Sequence, residues 1–161
     1  MKICRAAGLM VALMIASGNA AAQTPIKFET IEKNNVSGYR YAEANFKGAD
    51  FLIKDKGAWK KFWNAHSKQL QPLPSPPKIN FKEEMVVVTI LGTQPTGGPS
   101  TEISEVLSDE KCDCLIVRIK DDERQGFLTV ITNPFHIIKL PKSEKSLLFE
   151  HEKVEGSGSL P

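Results

Sequence analysis

Seven consecutive residues, Met85, Val86, Val87, Val88, Thr89, Ile90 and Leu91, constrain this chain more than any other stretch. A run without a polar period leaves no face for water, so it reads as a central strand buried on both sides. Gly92, Thr93, Gln94, Pro95, Thr96, Gly97, Gly98 and Pro99 follow at once. A stretch that rich in glycine and proline is a shaped loop rather than filler. A stiff loop delivered by a central strand is where a binding site is expected.

The rest of the chain reads mostly as short strands. Ile26, Phe28 and Thr30 alternate as a first strand, and Asn34-Asn35 makes a turn. Residues 37–44 form another, with Tyr39 and Tyr41 on one face, and residues 48–53 a third. Residues 54–70 are the one convincing helix, since Trp59, Phe62, Trp63, His66 and Leu70 recur at helical spacing opposite lysines. An aromatic stripe of that kind packs a helix on a sheet. Residues 72–77 (PLPSPP) form an extended, polyproline-like connector. Strands follow at 101–107, 114–120, 126–132, 135–140 and 146–152, with Asn133-Pro134 as a break. Many short strands and one helix predict a mainly β fold. It is an antiparallel sandwich or barrel-like sheet, immunoglobulin-like in one version, carrying one packed amphipathic helix.

The first residues are read differently. Lys2 and Arg5 precede an uncharged apolar segment at 6–17, and Ala20, Ala21 and Ala22 supply the small residues that a signal peptidase reads. Residues 1–22 are therefore expected to be a signal peptide, too short to span a bilayer, and the product is periplasmic or secreted. Residues 23–155 are then a single domain and 156–161 a flexible Gly/Ser tail. Of 21 Lys plus Arg, two leave with the leader, which balances the 19 Asp plus Glu. A neutral mature domain has no basic excess for nucleic acid and no polybasic patch for a membrane surface, and no stable membrane insertion is expected.

Catalytic motifs are missing from the sequence. The glycine-rich loop lacks the terminal Gly-Lys-Ser/Thr of a phosphate cradle, and a strand pattern rather than a helix follows it. No G-x-S-x-G occurs, and His66, His136 and His151 are scattered. No cofactor, metal or catalytic residue is expected, and the chain reads as a non-enzyme. Cys112 and Cys114 are the cysteines that remain after the leader. In an exported domain they form a disulfide or stay as thiols. A flat strand would hold their α-carbons about 6.6 Å apart, so a bridge needs a local bend.

Two loops are left as candidate partner-binding elements. One comprises Gln94, Pro95, Thr96, Gly97, Gly98 and Pro99, otherwise a tight hairpin turn in which Gly97 and Gly98 supply positive backbone angles. The other comprises Asn133, Pro134, Phe135 and His136, otherwise a strand switch with Phe135 buried. Stiff loops lose little entropy on binding, which favours a contact rim if both lie at one end.

These residues resemble the PrcB C-terminal domain family, named after a subunit of a bacterial secreted protease complex. The likeness rests on Trp59 and Trp63 in a helix, Ile79-Asn80-Phe81 before Met85-Val86-Val87-Val88, and Leu91-Gly92 before Pro95-Thr96-Gly97-Gly98. It continues in Pro134-Phe135-His136-Ile137-Ile138-Lys139-Leu140-Pro141. The chain departs from that pattern at Pro99, where family members carry an aromatic, and at Asn80, where they tend to carry Asp. The resemblance implies an exported, non-enzymatic accessory domain that binds a protein, associating with or modulating a protease. Pro95-Thr96-Gly97-Gly98 and Asn133-Pro134-Phe135 are also loosely similar to the paired loops of chagasin-type cysteine-protease inhibitors. The alternative is a periplasmic carrier of a small apolar or envelope ligand, with Trp59, Phe62 and Trp63 lining its pocket.

Overall fold

In the computed structural model, residues 23–41 and 43–154 are described; the expected leader and the expected tail lie outside them. Eight strands and one helix follow in the order β1 (Thr24–Pro25), β2 (Glu29–Asn34), β3 (Ala49–Ile53), α1 (Lys56–His66), β4 (Glu84–Ile90), β5 (Ser100–Asp109), β6 (Cys114–Asp122), β7 (Phe135–Pro141) and β8 (Ser146–Lys153). They form two four-stranded sheets, ordered β1-β5-β6-β8 and β2-β7-β4-β3. All pairings are antiparallel except β6 with β8, which is parallel. The predicted mainly β sandwich with one packed helix is what the chain forms.

Strand β4 explains the layering. Val86, Val88 and Ile90 point to one side, where they meet Trp59, Phe62 and Trp63 of α1 together with Phe135 and Ile137 of β7. Met85 and Val87 point to the other, against Ile103, Val106, Leu115, Val117 and Ile119 of the second sheet. The β2-β7-β4-β3 sheet is thus a middle layer, with the helix on one face and the other sheet on the opposite one. The unbroken apolar run is the direct result, since a middle-layer strand has no wet face.

The helix starts at Asp55, whose carboxylate accepts from the Ala58 N–H at 2.8 Å and so caps an orphan donor. It stops at Ser67, a turn earlier than its apolar period suggests, and Leu70 is exposed rather than part of the stripe. The reason is local: the His66 carbonyl turns aside to accept the Gly38 N–H. The proline-rich connector lies across the helix. Trp59 Nε1 donates to the Pro77 carbonyl and Trp63 Nε1 to the Pro74 carbonyl, both at 2.9 Å. Buried indoles need such acceptors, and prolines supply carbonyls without competing N–H groups.

Two expected strands are absent. Around residues 37–44 the chain turns at Arg40, where φ is 46°. Tyr39 goes inward against Phe46, Phe51 and Phe62, while Tyr41 lies elsewhere with its hydroxyl on the Ile131 carbonyl, so the two do not share a face. Residues 126–131 are irregular. They cross from β6 in one sheet to β7 in the other, and beside them only Gln94 pairs with Thr132.

Candidate functional site

The loop after β4 is built against the crossing that follows β6. Gln94 and Thr132 exchange both backbone hydrogen bonds, at 2.8 and 2.9 Å. The Gly97 N–H donates to the Leu128 carbonyl at 3.2 Å, and the Thr132 hydroxyl to the Thr96 carbonyl at 2.8 Å. The Thr96 hydroxyl donates to Gln125 Oε1 and accepts the Gly126 N–H, each at 3.1 Å. Positive φ falls at Gly92 (95°) and Gly48, not at Gly97 or Gly98 as the turn reading assumed. Gly98 is required for proximity instead. A β-carbon there would sit on Gly126 N and 2.5 Å from the Arg124 carbonyl oxygen. Pro99 is buried, which anchors the loop into β5.

The structure does bring the 94–99 loop beside the 132–134 break, but the second element is not a rim. Asn133, Pro134, Phe135 and His136 are all buried. The Asn133 side-chain amide donates to the Tyr39 carbonyl at 2.8 Å and to the Ser37 carbonyl at 3.2 Å, tying the crossing to the 36–39 segment. Phe135 packs edge-on against His66, with centroids 4.4 Å apart. His136 faces the opposite sheet. Its Nδ1 accepts the Ile103 N–H at 2.9 Å, so Nε2 carries the proton and donates to the Thr30 hydroxyl, also at 2.9 Å. Burial lowers its pKa to about 4 and keeps the imidazole neutral, with the nearby Lys33 acting the same way.

What faces solvent at this end is the segment read as a strand. Phe127 is fully exposed, Leu128 is 73% exposed, and Val130 and Ile131 are about half exposed. Val36 is exposed too, and it bridges to Asn133 next door. Apolar side chains so close together on one loop are unusual for a surface meant only for water. The sequence held a signal: Phe127-Leu128 and Val130-Ile131 are adjacent pairs, not an alternation, so a strand with one wet face could not bury both members of either pair.

Beside the loop, two adjoining clefts of about 340 and 520 Å³ open between the sheets, sharing Lys47, Leu91, Glu123 and Lys153. His151 of β8 bridges them to the fold. Its Nδ1 lies 2.6 Å from Asp121 Oδ2 and its Nε2 lies 2.9 Å from Asp50 Oδ2, while Thr101 donates to Asp121 Oδ1 at 2.6 Å. Two carboxylates on two nitrogens need two donors, and only imidazolium has them. With both nitrogens engaged, His151 has none free to take a proton from a nucleophile. The residues sit 101 and 30 positions from each other's partners, so no spacing rule reveals them.

A second arrangement has hydrolase-like membership. Ser37 Oγ is 2.9 Å from His66 Nδ1, and His66 Nε2 is 3.3 Å from Glu32 Oε2. Ser37 is wholly buried, and its Oγ also accepts the Tyr39 N–H at 3.1 Å. A nucleophile must meet its substrate, and this one has no exposed surface, while the histidine it bonds is packed against Phe62 and Phe135. Its role is to satisfy the buried histidine.

The predicted aromatic stripe is spent on packing, since Trp59, Phe62 and Trp63 are all buried. Among the described residues, no helix is long and apolar enough to cross a membrane, and no group of three or more His, Cys, Asp or Glu is placed to hold a metal ion. No protein-family model, curated protein or solved structure matches the chain.

Proposed function

We propose that this chain is an exported, non-enzymatic domain that docks on a protein partner through Phe127, Leu128, Val130 and Ile131, presented by the Gln94–Thr132 brace. The observation that carries the reading is the contrast within that loop. Its side chains are apolar and in solvent, while its backbone is tied to the 94–99 loop at Gly126, Leu128 and Thr132. Such a loop gains by burying its side chains and has little freedom left to lose. The resemblance to the PrcB C-terminal domain family favours a protease as that partner. The contact residues of this reading differ from the expected ones. Gln94 to Pro99 remain as the support, and Asn133 to His136 become the anchor beneath.

The test is cross-linking of the purified protein in an extract of its own cell envelope, with Phe127→Ser/Leu128→Ser alongside. One protein product, lost in the double variant and kept in Lys60→Glu on the helix, is the expected result. Equal capture by both variants, or sedimentation of the protein with lipid vesicles alone, would overturn it. A panel of papain-like proteases separates an inhibitor from an accessory subunit. The carrier reading retains one specific support, a cleft of about 320 Å³ at the helix edge lined by Tyr39, Phe51, Ile53 and Phe62.

A further inference from the structure

At the far end of β6 from the docking loop, Cys112 and Cys114 are joined by a disulfide across the turn that leads out of β5. This bond links residues that are held together without it. Asp109 and Cys114 are already the last pair of a ladder that runs back to Ser100 and Asp122. The Asp109 carboxylate accepts the Lys111 N–H at 2.7 Å, closing the turn from within. Lys145 reaches across from before β8 to Glu110 at 2.8 Å, Ser108 at 3.0 Å and Asp113 at 3.4 Å. A ring over one intervening residue also removes little freedom from the unfolded chain, so its stabilising effect is small.

The two sulfurs differ in access. Cys112 is exposed, whereas Cys114 is buried with Leu107 and Ile116 on the outer face of the sheet. Asp113 between them takes a positive φ of 49°, which a non-glycine residue adopts at some cost. An accessible sulfur and no structural task are the attributes of a reactive disulfide rather than a staple.

We infer that Cys112–Cys114 is a thiol–disulfide exchange site that accepts electrons from the dithiols of a peptide or protein substrate. The incoming thiolate attacks Cys112 Sγ. The Cys112–Cys114 bond breaks, its electron pair leaves on Cys114 Sγ, and that sulfur takes a proton. A mixed disulfide now joins substrate to Cys112. The second substrate thiolate attacks the substrate sulfur of that bond and releases Cys112, which is protonated in turn. The substrate has lost two electrons and two protons in forming its disulfide, and the cysteine pair has gained them. The exposed position of Cys112 makes it the sulfur attacked, and Cys114 stays close enough to reverse the step.

Two measurements test this. First, the purified oxidised protein is incubated at neutral pH with a peptide holding two cysteines, and thiols on both are counted. Peptide oxidation should match the thiols gained by the protein one for one, with unchanged circular dichroism and a melting midpoint lowered by no more than about 3 °C. Second, with Cys4 also replaced by serine, Cys114→Ser and Cys112→Ser each leave a single thiol, which is alkylated while the protein is folded. The thiol of Cys114→Ser should react at least about tenfold faster, because it is the exposed one. Three results would each overturn the inference: bridge reduction only under denaturing conditions, a large fall in melting midpoint on reduction, or equal alkylation rates.

Discussion

His151 on β8 and Asp50 on β3 meet across the two sheets, with Nε2 and Oδ2 2.9 Å apart. Each strand is the last of its own sheet, so the contact ties edge to edge. The same ring holds Asp121 through its other nitrogen at 2.6 Å. Burial opposes the positive charge, but the hydrogen bonds to Asp50 and Asp121 outweigh it, and the pKa of His151 is raised. Lys47, Lys153 and Glu123 complete the charged surroundings.

A raised histidine stabilises the fold fully below its unfolded pKa and ceases to do so as pH climbs through the folded one. The melting midpoint should therefore fall as pH rises above about 6.5, and His151→Gln should flatten that limb. Parallel curves for the two proteins would contradict the clamp.

His136 acts with the opposite sign. Burial holds its pKa near about 4, so between the ordinary histidine value and that figure the unfolded chain takes a proton that the folded one refuses. Stability should decline as pH falls below about 6.5, before the paired carboxylates of Glu84, Glu102 and Glu110, all lowered, begin to protonate. His136→Gln should remove the upper part of that decline. An unchanged slope between pH 6.5 and about 4.5 would count against the buried neutral ring.

Gly98→Ala should unseat the docking loop without melting the core. Its β-carbon meets the backbone of Arg124 and Gly126, and neither can yield as a flexible side chain would. The expected readout is faster tryptic cleavage after Arg124 in the native protein. A cleavage rate equal to the parent's would refute the close approach.

Phe127→Ser and Leu128→Ser should leave stability within about 0.5 kcal/mol, because both side chains already stand in water. Retention of the partner is what they should lose. A strong destabilisation by urea titration would mean that the loop packs elsewhere in solution.

Ile138→Ala removes a fully buried side chain from the contact between the sheets. It should cost about 2–5 kcal/mol, read as a lower urea midpoint with an unchanged slope. A cost below that range would indicate that the sheets can close over the gap.

The fold was legible where one periodicity dominated. Met85 to Ile90 could only be a covered strand, and Trp59, Phe62 and Trp63 could only face a sheet. The site was less so. Pro134-Phe135-His136 looks like a presented loop because an aromatic and an imidazole flank a proline. Only the structure shows Phe135 spent on His66 and His136 on Ile103 and Thr30. Phe127 to Ile131 looked like a strand because apolar residues in a row suggest burial, yet β7 already has β2 and β4 on its two edges. Pairings such as His151 with Asp50 depend on which strands become edges, and no local pattern contains that.

The chain's two tryptophans both lie in the helix layer, their rings 5.2 Å apart and each indole N–H on a connector carbonyl. The cluster between the sheets holds neither tryptophan nor tyrosine. Intrinsic emission therefore reports one core and is silent about the other. Loss of signal in unfolding marks the departure of the helix, and the parting of the two sheets has to be followed by another probe. The break beside the docking loop touches that layer by two routes, from Phe135 through His66 to Trp63 and from Asn133 through Tyr39 and Phe62 to Trp59.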